Sequence, residues 1–141
     1  MKRILIAVLA AGVLGILLLG WSMFGDHSSF QTGLDRYEKL PATSSDITIF
    51  RNSNITGEFL ADFKVSEHDF VLFATENHWL VQPITNAAVV FQAKAFHEGH
   101  PNDTKEISDG LYYSQRAANG GGVTVAYDRK NGRAYIESSS R

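Results

Sequence analysis

An almost unbroken apolar run from Ile4 to Phe24, interrupted only by glycines and Ser22, divides this chain into two unequal parts. A helix needs about 20 residues to cross a hydrocarbon layer about 30 Å thick, and the run supplies 21. Lipid offers no partner to a bare N–H or C=O, so a hydrogen-bonded helix is the conformation open to a lone segment there. The sequence therefore predicts a transmembrane signal anchor over residues 1–24, a linker over 25–45 and an exported domain over 46–141.

Charge sets the expected orientation. Lys2 and Arg3 precede the run, and the first basic residue after it is Arg36. The positive-inside rule leaves the N-terminus in the cytoplasm and the domain on the far side. The expected location is the inner membrane, single-pass, with a periplasmic or extracellular domain. Trp21 and Phe24 fall where an interfacial aromatic belt belongs. A cleaved secretory signal is the alternative, because it too opens with positive charge and an apolar core of about 7–15 residues. This run is longer and lacks an Ala-x-Ala-like site, which favours retention; Gly20 and Ser22 are the small pair that cleavage would use.

Past the run the chain carries 11 basic and 15 acidic residues, so it has no basic footprint for nucleic acid. The absence of cysteine excludes disulfides, thiol catalysis and a lipidated cysteine. About 117 residues suit one domain held together by core packing.

Residues 25–45 are rich in Ser, Thr, Gly and Asp and read as a flexible stalk, with Leu34, Tyr37 and Leu40 spaced for a short helix. From Asp46 the period changes to two. Ile47, Ile49 and Arg51 share one side of a strand. After a turn-forming cluster at 52–57, Phe59, Ala61, Phe63 and Val65 share one side of a second, with Leu60 the exception on its polar side. Ser66 then caps a helix whose Glu67 and Asp69 oppose the dipole and whose Phe70, Phe73 and Ala74 form the buried stripe. Asn77-His78 ends it. Trp79, Leu80 and Val81 return to the core, and Pro83 forbids a central strand. Residues 88–95 read as extended, and 97–109 as a polar loop.

The C-terminal end reads as a three-stranded antiparallel meander: a strand over Leu111–Arg116, a glycine turn, a strand over 123–128, the hairpin signal Asn131-Gly132, and a last strand with Ala134 and Ile136 facing in. The expected fold class is α+β, one helix packed on a small antiparallel sheet. The run Gly110-Leu111-Tyr112-Tyr113, then Gly120-Gly121-Gly122-Val123 through Tyr127-Asp128-Arg129, then Asn131-Gly132-Arg133-Ala134-Tyr135 resembles the tail shared by small bacterial membrane-anchored proteins of no assigned activity. The resemblance covers residues 46–141. It implies no catalytic or binding residue.

Few constellations carry chemistry. His97-x-x-His100-x-x-Asp103 offers two imidazoles and a carboxylate to a metal such as zinc, with Glu98 and Glu106 nearby. A loop holding Gly99 and Pro101 positions such ligands poorly, and a solvated polar loop is the plainer reading. The glycine run leads into a strand, so it lacks the helix N-terminus a phosphate loop needs. No nucleophile elbow frames any serine. Tyr112, Arg116, Arg129, Arg133 and Tyr135 gather on the meander and are residue types favoured at binding hot spots. The expected function is a membrane-tethered, non-enzymatic interaction domain with a protein partner and no cofactor. The alternatives are a metal-binding protein or metal-dependent hydrolase built on His97–Asp103, or a cleaved effector or inhibitor.

Overall fold

The computed structural model describes residues 12–15, 28–53, 57–85, 89–92 and 104–140. Of the apolar run only residues 12–15 are among these, and they are helical; the rest of the expected anchor lies outside the described residues. Among the described residues, no helix is long and apolar enough to cross a membrane.

The domain is a small α+β unit, mostly antiparallel sheet. Its strands are β1 (Ser28–Leu34), β2 (Ser45–Asn52), β3 (Glu58–Lys64), β4 (Gln82–Pro83), β5 (Val89–Gln92), β6 (Thr104–Ile107), β7 (Gly110–Arg116), β8 (Gly122–Asp128) and β9 (Arg133–Ser139). Helix α1 (Glu67–Glu76) joins β3 to β4. Among the described residues seven strands form one sheet in the order β1-β2-β3-β9-β8-β7-β4, and β5 and β6 form a second, two-stranded sheet. Two meanders, β1-β2-β3 and β7-β8-β9, thus meet where β3 pairs antiparallel with β9, from Glu58↔Ser139 to Lys64↔Arg133.

The register assigns each side chain to one of two faces. On the first, Ile47, Ile49, Ala61, Phe63, Val125, Tyr127, Ala134 and Ile136 pack with Phe70 of α1 into the main core. The Phe70 ring stacks on Tyr127 with centroids 5.3 Å apart. Phe73 meets Phe63 and Trp79 edge-on. Ser66 caps α1 as expected: its hydroxyl accepts the Asp69 N–H at 3.1 Å and donates to the Asp69 carboxylate at 2.9 Å. At the other end the Asn77 N–H bonds to the Phe73 carbonyl, and His78 takes the left-handed conformation at φ 60°.

The second face differs from the expected solvated surface. Tyr135, expected to face out, is 4% exposed, and it packs with Ile107 of the β5–β6 hairpin and Ala126. Leu60, the apparent exception on β3, is buried on this face too. An antiparallel sheet usually wets one face; here both faces carry buried residues, so a strict inside–outside alternation misassigns β3 and β9.

Other expectations are corrected. The stretch read as a stalk contains β1, paired with β2 from Ser28↔Asn52 to Leu34↔Ile47, and Leu40 and Ser44 are buried. The stretch read as a loop contains β6. Leu80 does not return to the core: it is 80% exposed, because the chain folds back sharply through the Val81 N–H to the Trp79 carbonyl. Pro83 lies in the two-residue edge strand β4, where the sheet tolerates it.

Candidate functional site

His97, His100 and Asp103 lie outside the described residues. Among the described residues, no group of three or more His, Asp or Glu is gathered for a metal ion.

The five meander residues are placed as follows. Tyr112, Arg116, Arg133 and Tyr135 project from the second face, since Tyr112 and Tyr135 are both opposite Ala126, while Arg116 and Ser139 are both opposite Gly122. Arg129 stands apart, in the β8–β9 turn. All three arginines are engaged within the chain. Arg116 pairs with Glu137 across β8. Arg129 donates from Nε and Nη2 to both carboxylate oxygens of Glu67, at 2.7–3.0 Å, and from Nη1 to Asp109 at 3.1 Å. It thereby ties the turn to the first turn of α1. Its cation holds the Glu67 carboxyl below the ordinary range. Glu67, then Asp109, raises Arg129 above the ordinary guanidinium range.

Arg133 is the centre of a partly buried ion cluster. It donates from Nε to Asp62 at 2.6 Å, and from Nη1 and Nη2 to the carboxylate and backbone carbonyl of Asp46 at 2.7 and 3.0 Å. Asp46 reaches it because β2 carries one extra residue between Ser45 and Thr48 and Asp46 adopts φ 47°. A bulge re-aims a side chain in this way, and aspartate tolerates the left-handed region better than most residues. Lys64 joins Asp46 at 3.2 Å. Burial pushes the Asp62 carboxyl above its usual range even though Arg133 pulls it down. The Asp46 carboxyl is lowered, chiefly by its hydrogen bond from Arg133. Burial also raises the Tyr135 phenol, with Asp62 adding to it. On the hairpin side, Lys105 approaches Asp128 at 3.7 Å and sits 6.0 Å from the centre of the Tyr135 ring. Sequence reading found Arg133 and Tyr135 but missed Asp46, Asp62, Lys105 and Asp128; the bulge that recruits Asp46 has no sequence signature. The cluster holds charges of both signs in mutual contact, which is the arrangement of a structural ion network.

Clefts open on the surface of the described residues. One, about 610 Å³, lies between residues 38–43 and α1, with Leu72, Phe73, Asp69 and Glu76 on its wall. Another, about 600 Å³, lies at the end of the sheet where β2 turns into β3, lined by Arg51, Phe59 and serines from β1 and β9. The second holds Arg51, which sequence reading assigned only to a strand face.

No protein-family model, no curated protein and no solved structure matches this chain.

Proposed function

We propose that this chain is a single-pass membrane protein whose N-terminal segment, residues 1–24, tethers a non-enzymatic interaction domain on the extracytoplasmic side. The apolar run with Lys2 and Arg3 before it supports the tether and its orientation. The partner is a protein that adds an extended segment to the outer edge of β7.

One observation carries the binding mode. In an antiparallel strand the N–H and C=O of a residue point the same way, and successive residues alternate. The Ile84 N–H bonds to the Gly110 carbonyl, and the Ala117 N–H bonds to Gly121 in the β8 direction. Gly110, Tyr112, Ser114 and Arg116 therefore point away from β8. β4 pairs with Leu111 and Tyr112 only, so among the described residues no strand lies beside Ser114 and Arg116. Their exposed backbone groups are a template for strand addition, and exposed Leu80 offers an apolar neighbour to the incoming segment.

The test uses the full chain in its native membrane. A photo-crosslinking residue at position 114 should capture a discrete protein partner, and Ser114→Pro, which removes an outward N–H and leaves the backbone bonds to β8 intact, should abolish capture from a distant crosslinker position, whereas Ser114→Ala, which equally loses the hydroxyl contact to Thr124 at 3.0 Å, should retain it. Equal capture by Ser114→Pro refutes the edge; release of the chain by alkaline carbonate refutes the tether.

A further inference from the structure

Arg116, Arg129 and Arg133 each close on a carboxylate. Arg51 does not. Its guanidinium carbon lies 6.0 Å from the centre of the Tyr37 ring and 5.9 Å from that of Phe59, and these rings stack on each other with centroids 6.2 Å apart. The register explains the placement. Ser29 is opposite Arg51, Arg51 opposite Phe59, and Phe59 opposite Ser138. The four form one row across β1, β2, β3 and β9 on the face that carries α1. Neighbouring strands are about 4.8 Å apart, so a guanidinium lying over Phe59 has moved from its own strand toward Ser138.

Among the described residues the surroundings are short of negative charge. Glu58 lines the same cleft, but it precedes Phe59 in β3 and so projects from the opposite face. The β2–β3 connection Asn54-Ile55-Thr56 contains no acid. What the cleft supplies instead are hydroxyl groups, from Ser29 and Ser138. A guanidinium braced on aromatic faces keeps its fork of donors pointed outward, where it matches the oxygens of a phosphate or sulfate.

We propose that Arg51, braced by Tyr37 and Phe59 and flanked by Ser29 and Ser138, is a binding site for a phosphate-type oxyanion. Arg51 supplies the charge and a two-pronged contact, the serine hydroxyls complete the donor set, and the open cleft leaves room for the group that carries the anion. The site lies at the other end of the sheet order from the β7 edge, so it stands or falls independently of the strand-addition reading.

The test is isothermal titration of the full chain in mild neutral detergent with two probes, inorganic phosphate and a soluble short-chain phosphatidylglycerol. Saturable binding of either supports the site: phosphate alone identifies a free solute, and the lipid alone identifies a headgroup. Arg51→Gln should weaken binding about tenfold or more, as loss of a charge-assisted fork implies. Arg51→Lys should recover part of it, and Lys130→Gln, which changes an exposed cation in the β8–β9 turn, should leave it unchanged. Melting temperatures of all three should stay at the wild-type value, since Arg51 is exposed. Lack of saturation with both probes, or equal affinity in wild type and Arg51→Gln, overturns the proposal.

Discussion

Replacing Arg133 with methionine removes one cation from a site where two carboxylates converge on it. Its side chain is 16% exposed, and that of Asp62 is 24% exposed. Breaking a fully buried ion pair from one side costs about 3–5 kcal/mol, because the remaining charge is stranded. Water reaches part of this pair, so the expected loss is nearer about 2–3 kcal/mol. For a domain of this size that is a fall in melting temperature of roughly 10 °C. The sign of the pH dependence follows from Asp62. Its folded carboxyl is already raised by burial, and without Arg133 it rises further. A raised carboxyl binds its proton more tightly folded than unfolded, so the variant regains stability relative to wild type as pH falls toward the ordinary carboxylate range. Asp46, lowered by Arg133 in the wild type, acts in the same direction, since wild type loses that contribution on acidification. The deficit of Arg133→Met should therefore be largest at neutral pH and shrink in acid. Adding Asp62→Leu should restore much of it at neutral pH. Urea unfolding of the full chain in detergent, followed by Trp79 fluorescence, measures all three. A neutral-pH loss below about 1 kcal/mol, or a deficit that grows on acidification, would show that the cluster is not the buried pair described here.

Phe70→Ala removes a ring with no exposed surface that stacks on Tyr127; thermal unfolding should show a loss of about 3–5 kcal/mol. Gly110→Ala would place a Cβ 1.7 Å from the Tyr127 carbonyl oxygen at φ 153°, so the β7–β8 register must break, and hydrogen exchange should show deprotection of both strands. Ser66→Ala deletes the α1 cap and should cost about 1 kcal/mol, with exchange rising first at the Asp69 N–H. Wild-type stability should decline as pH falls below the ordinary carboxylate range, because Asp46, Glu67 and Asp69 are all held below it in the fold and their contribution is lost as they protonate.

The parts of the fold that were legible are those whose signal is local. The β7-β8-β9 meander, the β2–β3 hairpin and the capped helix each carry their period, turn and cap within a few residues of one another. Even there, Asn131-Gly132 differs from a two-residue turn. Asp128 pairs with Arg133 across a four-residue connection, only Gly132 has positive φ, and Asn131 is held by the Asp128 carboxylate. β1 was illegible because Ser28–Leu34 has one clear apolar pair and lies at the sheet's margin, where its pairing is dictated by β2 rather than by its own pattern. β6, with Thr-Lys-Glu-Ile, shows no alternation that would separate it from a loop. Of the candidate site, residue types were readable and partners were not. Nothing in the spacing of Asp46, Asp62 and Arg133 announces that they meet, since β2, β3 and β9 come together only when the two meanders join.

That junction also explains why the second face tolerates charge. Among the described residues one short helix covers the first face, and the second receives the β5–β6 pair, which contributes Ile107 against Ala126 and Tyr135, with Ile84 packed beside them. A purely apolar second face would leave a greasy rim around so small a cover. A fully polar one would give Ile107 nothing to bury against. The chain instead grades the face, with alanine and tyrosine beneath the hairpin, the Lys105–Asp128 contact at its margin, and the Arg133 network where β2, β3 and β9 run side by side. Each buried charge there faces an opposite one, which is the condition under which a small core accepts ionised groups. The same logic isolates Arg51. It lies on the helix face, in a cross-strand row with Ser29, Phe59 and Ser138, and among the described residues its charge meets ring faces rather than a carboxylate. An arginine placed by the fold on ring faces, with no carboxylate against it among the described residues, is a cation that a ligand can engage.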